Sequence, residues 1–490
     1  MAGVRRRYRL DGSVRRVDGG RVLLGGSPLR LFTLTEAGAK VVDRVERGES
    51  LPPSVLVDRL LDAGALHPDD WSRRIFEDSP GPALSQVTVS VVVPMYQRVP
   101  DPVLLERLGR IGPVVLVDDG SSPPLAPPVP PARLLRHSAN RGPGAARNTA
   151  LAEVTAPLVL FVDDDIDLPD DPDWLAPLLS HFDDPAVVAV APRIVARPGQ
   201  PGRLARFEAQ AGHGPLDLGP APARVAPRTR VSYVPSAVLL ARTDAVKAAG
   251  GFDEALRTGE DVDLVWRLVA AGGRVRYEPT VTIAHATRPT LTAWLAQRAG
   301  YGRSAAGLAR RHPGSLAPVG VSAWSAASWA LAALGFPRAG LAVAAGSTAA
   351  LPRKLTALGR PWPEALRLAG LGHLHAGRQL ARAVTRAWWP LAIVAAVVSR
   401  RARRAVLTAV VLPPLVDWLR RRAPMDPVTY LGLRILDDTS YGYGLWQGVM
   451  AERVAEPLIP DLSSWPGRAG RSRAKGQDDA STSAASPAGP

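Results

Sequence analysis

Three consecutive carboxylates, Asp163-Asp164-Asp165, close a short apolar run, Leu158–Val162. The run reads as a buried strand. No basic residue stands among the three acids, and folding alone gives no reason to gather like charges at a strand end. A divalent cation would neutralise them and take their oxygens as ligands. The plainer alternative is a solvated acidic turn leading into a helix cap, since Asp is common in both. A second acidic group follows in Gly259-Glu260-Asp261-Val262-Asp263-Leu264. Val262, Val265, Leu268 and Val269 share one helix face, so Glu260 and Asp261 fall at a helix N-terminus. A carboxylate there is either a cap favoured by the helix dipole or a rigidly held general base. His285 closes a strand candidate at residues 281–284. Such a His is usually structural, but beside a metal it becomes a candidate ligand.

These groups need elements to hold them. Residues 87–93 form a β-branched run suited to a strand buried on both faces, ended by Pro94. A helix around 103–108 and a second strand at 114–117 follow, and that strand terminates in Asp118-Asp119-Gly120-Ser121-Ser122. Residues 123–131 are Pro-rich and read as a surface loop, and 133–136 as a third short strand. Asn140-Arg141-Gly142-Pro143-Gly144 then opens a helix carrying Arg147, and a helix N-terminus with Gly and Arg suits an anionic ligand. Strand, helix and strand with polar residues at the strand ends is the pattern of an open α/β sheet, which binds ligands at its carboxyl edge. Further strands are expected at 187–191, at 231–240 leading into a helix at Thr243-Asp244, and at 274–277. A flexible Pro-, Gly- and Arg-rich excursion is expected over 195–230.

The flanks are different. Residues 1–80 carry short strand candidates at 8–10, 14–17 and 21–24, separated by Asp11-Gly12 and Gly19-Gly20 turns. Thr35 and Ser54 are positioned to cap two helices that stop near Gly48 and Gly64. This is a winged-helix-like α+β module, read either as a structural cap or as a peptide-recognition module. Residues 77–86 read as a linker, 313–465 as an apolar helical region, and 466–490 as a disordered tail. The stretch 318–336 is uncharged and about long enough to span a bilayer, and the shorter runs 387–399 and 405–419 bracket Arg400-Arg401-Ala402-Arg403-Arg404. These runs fit buried helices or helices lying on an anionic membrane surface.

Of 490 residues, 46% are hydrophobic and 21% charged, a globular composition. Cysteine is absent, which excludes disulfides, Fe–S clusters and thiolate zinc sites. No apolar core follows the basic start, so a signal peptide is not expected. The net charge of +15 is carried almost wholly by Arg. It suits nucleotide diphosphates or lipid head groups, and no aromatic-interleaved basic motif points to nucleic acid.

Five motifs in order resemble the inverting family 2 glycosyltransferases of GT-A fold over residues 87–310. They are Val-Pro-Met-Tyr at 93–96, Val-Asp-Asp-Gly-Ser at 117–121, the Asn140 to Asn148 segment, Asp-Asp-Asp at 163–165, and Gly-Glu-Asp-Val-Asp-Leu at 259–264. The resemblance implies a nucleotide packed near Pro94 and Tyr96, with Asp118 or Asp119 meeting the base. It implies that Asn140, Gly142 and Arg147 lie near the nucleotide or its diphosphate. Asp163 and Asp165 match an Asp-x-Asp motif that holds the nucleotide sugar and Mg²⁺ or Mn²⁺, with His285 close to the metal. Asp164 is then a donor-sugar contact or a spacer. Asp261 matches the catalytic base, with Glu260 and Trp266 on the acceptor side. Metal and base answer two demands of the chemistry: a departing diphosphate to neutralise and a hydroxyl to deprotonate.

More narrowly, Arg30 to Ala39, the core, and Tyr301-Gly302-Arg303-Ser304 through His312-Pro313 resemble the mycofactocin-system glycosyltransferases. That implies glucose transfer from UDP-glucose onto a peptide-derived redox cofactor, mycofactocin, building a β-1,4-linked oligosaccharide at the cytoplasmic face of the membrane. Two other readings compete: a family 2 enzyme acting on a cell-envelope lipid or polysaccharide, and a catalytically idle peptide-binding scaffold. Gln297-Arg298-Ala299-Gly300-Tyr301 departs from the Gln-x-x-Arg-Trp of processive members, which argues against a translocation channel.

Overall fold

The computed structural model describes residues 5–69, 88–126, 133–209, 214 and 216–463. The expected linker at 77–86, part of the Pro-rich loop and the expected tail at 466–490 lie outside the described residues. The chain divides into two compact units, residues 1–318 with 381–459, and 319–380 with 460–490.

The first unit begins with strands β1 (Tyr8–Leu10), β2 (Arg15–Val17), β3 (Val22–Gly25), β4 (Arg30–Thr33) and β5 (Leu66–Pro68). β2, β3 and β4 form one antiparallel sheet, and β1 pairs with β5. β4 and β5 were not among the expected strands. Their alternation is short and their neighbours supply the pairing. Two helices pack beneath, Glu36–Glu46 and Val55–Asp62. Each is capped as its sequence demands: Thr35 Oγ1 accepts from Gly38 N at 3.2 Å and Ser54 Oγ from Val57 N at 3.3 Å. Leu23, Val42, Leu60 and Leu66 build a core of their own.

The remaining strands are β6 (Val89–Met95), β7 (Val114–Asp118), β8 (Arg133–Arg136), β9 (Leu158–Val162), β10 (Ile166–Asp167), β11 (Val187–Ala196), β12 (Ala223–Val225), β13 (Val238–Arg242) and β14 (Arg274–His285). They form one mixed sheet of order β10-β14-β11-β13-β9-β6-β7-β8, with β12 on β14. β6 runs parallel to both β7 and β9, whereas β13 inserts antiparallel between β9 and β11. The sheet is covered on both faces. Val91 and Val93 enter one core and Val92 the other, as a period of two requires. Helices Pro143–Glu153 and Glu260–Ala270 cover the same face, through Ala146, Ala150, Leu264 and Val265. Helix Pro102–Ile111 covers the opposite one through Leu104 and Leu108.

Some expected boundaries moved. Pro94 does not end β6 but sits inside it, paired with Val117 in register. The two strands expected at 274–277 and 281–284 are one long β14, with an irregularity opposite Pro192 and Arg193. Residues 231–237 are not strand, and the excursion at 195–230 contains helix Arg203–Ala209 and β12. Helix Leu291–Arg311 closes against helix Pro427–Glu452. A Cβ at Gly302 would stand 1.9 Å from Tyr441 O, and one at Gly444 1.8 Å from Ala299 O. Glycine lets the two backbones touch.

The second unit contains helices Ala323–Ala333 and Pro337–Ala350 and the first part of Pro361–Arg386. Within it, His373 accepts or donates to Ser325 Oγ at 2.9 Å and Ser347 Oγ at 3.1 Å.

Candidate active site

Asp163, Asp164 and Asp165 follow β9, the strand between β6 and β13. β10 then turns back antiparallel to β14, pairing Ile166 with His285. This pairing brings Asp165 Oδ1 to 3.2 Å from His285 Nε2. Burial pushes the Asp165 carboxyl up, but the His285 hydrogen bond and charge outweigh it and hold the group below the usual carboxylate range. His285 answers with a raised value: burial opposes its charge and Asp165 favours it. Asp164 makes no hydrogen bond among the described residues. Burial and the charges of Asp165 and Asp163 push it up to about 7.

Arg147 joins this turn to the second acidic motif. It rises from helix Pro143–Glu153, and its guanidinium is only 3% exposed. Nη2 donates to Asp163 Oδ1 at 2.7 Å and Nη1 to Glu260 Oε1 at 2.8 Å. The Phe252 ring lies beneath it, 5.3 Å from centroid to guanidinium carbon. The sequence placed Arg147 near the diphosphate; the structure encloses it between two carboxylates. Asn148 supports the same junction, donating to Phe252 O at 2.8 Å and accepting from Phe252 N at 2.8 Å.

The second motif starts from a left-handed residue. Gly259 has φ +84° and heads the helix Glu260–Ala270, a conformation that a side chain would strain. Glu260 turns inward to Arg147 and is buried. It therefore does not face outward as an acceptor-side residue. Asp261, half-buried, points elsewhere. Its Oδ1 accepts from Val262 N at 2.8 Å and its Oδ2 from Ser236 N at 3.3 Å. Burial raises both carboxyls, and Arg147 pulls them back only in part. Trp266 is a correction. It is 3% exposed, packs edge-on against His312, and donates Nε1–H to Ser232 O at 2.7 Å. Five residues beyond Asp261, it lies about 140° around the helix and faces the sheet.

Asp118 and Asp119 are also turned inward. Asp119 Oδ1 accepts from Arg141 N at 2.9 Å and from His137 Nδ1 at 2.6 Å, and Oδ2 from Gly142 N at 2.7 Å. Asp118 Oδ1 accepts from Ser121 N at 2.9 Å, and Oδ2 from Leu125 N at 3.3 Å. Both carboxylates anchor the loop after β7, taking backbone N–H groups that would otherwise lack partners. Gly142, at φ +101°, lets the chain turn onto Asp119. Asn140 Oδ1 accepts from Arg257 at 2.6 Å. Tyr96, in contrast, is 50% exposed just past β6, and Pro94 is partly exposed beside it.

Three groups near Asp261 were not assigned from the sequence: Ser236, Tyr233 and Tyr301. Burial and the Asp261 charge push the Tyr233 hydroxyl up to about 12. Burial also raises Tyr301, with Tyr233 adding to it. No spacing signal links these residues to residue 261; only the folded chain does.

The glycosyl transferase family 2 model matches residues 90–215, and the glycosyl transferase family group 2 model matches residues 158–419. The second match spans more than half the chain and contains both acidic motifs. The chain belongs to glycosyl transferase family 2. Its mixed sheet with flanking helices is a GT-A fold, and it is a glycosyltransferase. It is 40% identical over 476 residues to a protein named pre-mycofactocin glycosyltransferase from Mycobacterium tuberculosis (strain H37Rv), covering 92% of this chain and 97% of that one. The protein of the same name from strain CDC 1551 matches equally. Solved structures resemble the family 2 chain more distantly. A mannosyltransferase from Pyrobaculum calidifontis, in complex with GDP-Man and Mn²⁺, is 21% identical with a TM-score of 0.34, covering 62% of this chain and 93% of that one. S. aureus TarS 1-349 in complex with UDP is 18% identical with a TM-score of 0.33, covering 47% and 66%.

Proposed function

We propose that this family 2 glycosyltransferase moves glucose from UDP-glucose onto the peptide-derived redox cofactor mycofactocin, extending a β-1,4-linked oligosaccharide. The observation that carries this reading is the likeness to pre-mycofactocin glycosyltransferase across nearly the whole of both chains. That likeness reaches well beyond the residues of the two family models. In this reading residues 1–80 recognise the peptide-derived acceptor at the cytoplasmic side.

Transfer proceeds by one displacement. Asp261 takes the proton from the attacking acceptor hydroxyl. The acceptor oxygen bonds to the anomeric carbon as that carbon's bond to the diphosphate oxygen breaks, and the electron pair leaves with the diphosphate. Attack from the opposite face inverts the centre. The raised Asp261 carboxyl suits a base that must hold a proton. Tyr233 and Tyr301 stand on the acceptor side, and Tyr96 and Pro94 on the donor side.

Asp163, Asp165 and His285 are the residues that would hold Mg²⁺ or Mn²⁺. Their oxygen and imidazole donors suit such ions. Among the described residues no three acidic or imidazole groups converge as a closed cage. In this reading the ion takes one or two of these carboxylates, and substrate phosphates complete its shell. When bound, the ion supplies Lewis-acid neutralisation of the departing diphosphate.

Radiolabelled UDP-glucose with Mn²⁺ and either mycofactocin precursor or lipid acceptors tests the reading. Label is expected in the mycofactocin product; label in lipid alone would refute the acceptor. Asp261→Asn is expected to retain donor binding and lose transfer, and unchanged turnover would remove Asp261 as base.

A further inference from the structure

A departing diphosphate needs a cation of the protein beside it, and the arginines of the glycine-rich segment are already taken. Arg147 is held by Asp163 and Glu260. Arg141 donates to Glu254 Oε2 at 2.7 Å, and Arg257 donates to Asn140 Oδ1 at 2.6 Å. Two other arginines act on the acidic turn by charge, Arg98 in the loop after β6 and Arg288 in the loop after β14. Arg98 is exposed, and among the described residues no hydrogen bond or ion pair ties it to the turn.

Arg288 is placed differently. Its neighbour Thr287 is pinned by the Gln200 amide, which donates to Thr287 O at 2.8 Å and accepts from Thr287 N at 2.9 Å. The backbone before Arg288 is therefore fixed. Its side chain is 42% exposed and makes one long contact, from Nη1 to Asp165 Oδ2 at 3.5 Å. Most of the N–H donors of the guanidinium are left unfilled. Its charge acts on His285 and also on Tyr301, which in turn feels Asp261. Arg288 thus reaches both the acidic turn and the group beside Asp261, and a donor and an acceptor that react must meet between those two. A guanidinium has the planar fork that matches a phosphate.

We propose that Arg288 is a catalytic residue that grips the leaving phosphate of the nucleotide-sugar donor. The inference rests on the donor reading given above. As the bond from the anomeric carbon to the phosphate oxygen breaks, its electron pair settles on that oxygen. Arg288 donates N–H groups to the phosphate and gives up no proton. These hydrogen bonds strengthen as the charge develops, so they lower the barrier beyond tightening the donor.

Calorimetric titration of the full chain with UDP and with uridine, each with and without Mn²⁺, isolates the phosphate contribution. The unaltered chain is expected to bind UDP more tightly than uridine. Arg288→Ala is expected to weaken UDP about tenfold or more with or without Mn²⁺, to leave uridine unchanged, and to lower kcat about a hundredfold. Arg288→Lys keeps the charge without the fork and should recover part of both losses. The melting temperature of Arg288→Ala should stay within about 1 °C, because the pair with Asp165 is long and partly exposed. UDP bound equally by Arg288→Ala and the unaltered chain would overturn the proposal. So would weaker binding of Mn²⁺ alone by Arg288→Ala, which would make Arg288 a support for Asp165. An unaltered chain that binds UDP no better than uridine would remove the nucleotide-diphosphate donor itself, and this proposal with it.

Discussion

Arg147→Met tests the junction that brings the two acidic motifs into one site. The guanidinium and Glu260 are both buried, and Asp163 is about one-third exposed. Removing one partner of a buried ion pair costs about 3–5 kcal/mol. Asp163 can regain water and Glu260 can take up a proton, so the lower end, about 3 kcal/mol, is expected. Unfolding entropy of about 2.1 cal/mol/K per residue gives roughly 0.8 kcal/mol/K for a unit of about 400 residues. The melting temperature should therefore fall by about 4 °C. Turnover should fall by about a hundredfold, because Asp261 follows Glu260 directly and small misplacements are costly. Glu260→Gln is the informative companion. It keeps the Arg147–Asp163 pair and removes a charge that burial opposes, so a cost of about 1 kcal/mol or less is expected. The double substitution should cost at least about 1 kcal/mol less than the sum of the two. Melting by circular dichroism and steady-state transfer kinetics read both effects. An Arg147→Met protein that melts within about 1 °C of the unaltered chain, or strictly additive costs, would refute the clamp.

Asp11→Asn reports on the N-terminal module. Asp11 accepts from His67 Nε2 at 2.8 Å, from Ser13, and from Arg230 at 3.1 Å. Burial opposes its charge, but these partners hold its folded pKa below the unfolded value. Its contribution is therefore present above the unfolded pKa and lost as pH falls through the folded one. The substitution should cost about 2–3 kcal/mol near neutral pH, and chemical denaturation should find the two proteins converging in acid. Gly302→Ala should destabilise by about 1–3 kcal/mol or more, because its Cβ would meet Tyr441 O; an unchanged denaturation midpoint would contradict the close helix contact. Tyr96→Ala should raise KM for the donor several-fold at constant melting temperature, because the ring is half exposed; an unaltered KM would remove it from the donor site.

Much of this protein was determined locally. The five-residue apolar run before Asp163 is too short for a buried helix and reads as a strand, and all five residues are buried in the sheet. Thr35 and Ser54 stand where a side-chain oxygen satisfies a free helix N–H group, and both cap their helices. Gly259 and the apolar spacing after it set Asp261 at a helix start. Other features depended on partners distant in sequence. Arg147 looked like an anion ligand until Asp163 and Glu260, the latter 113 residues away, closed on it. Asp118 and Asp119 read as polar groups at a strand end; their burial beneath the loop they anchor came only with the fold. The resemblance implied Trp266 on the acceptor side, although helix rotation turns it to the core. Residue type and spacing specify what a group can do. Which neighbour it meets follows from two helices packing on the same face of one sheet, and only the tertiary structure decides that.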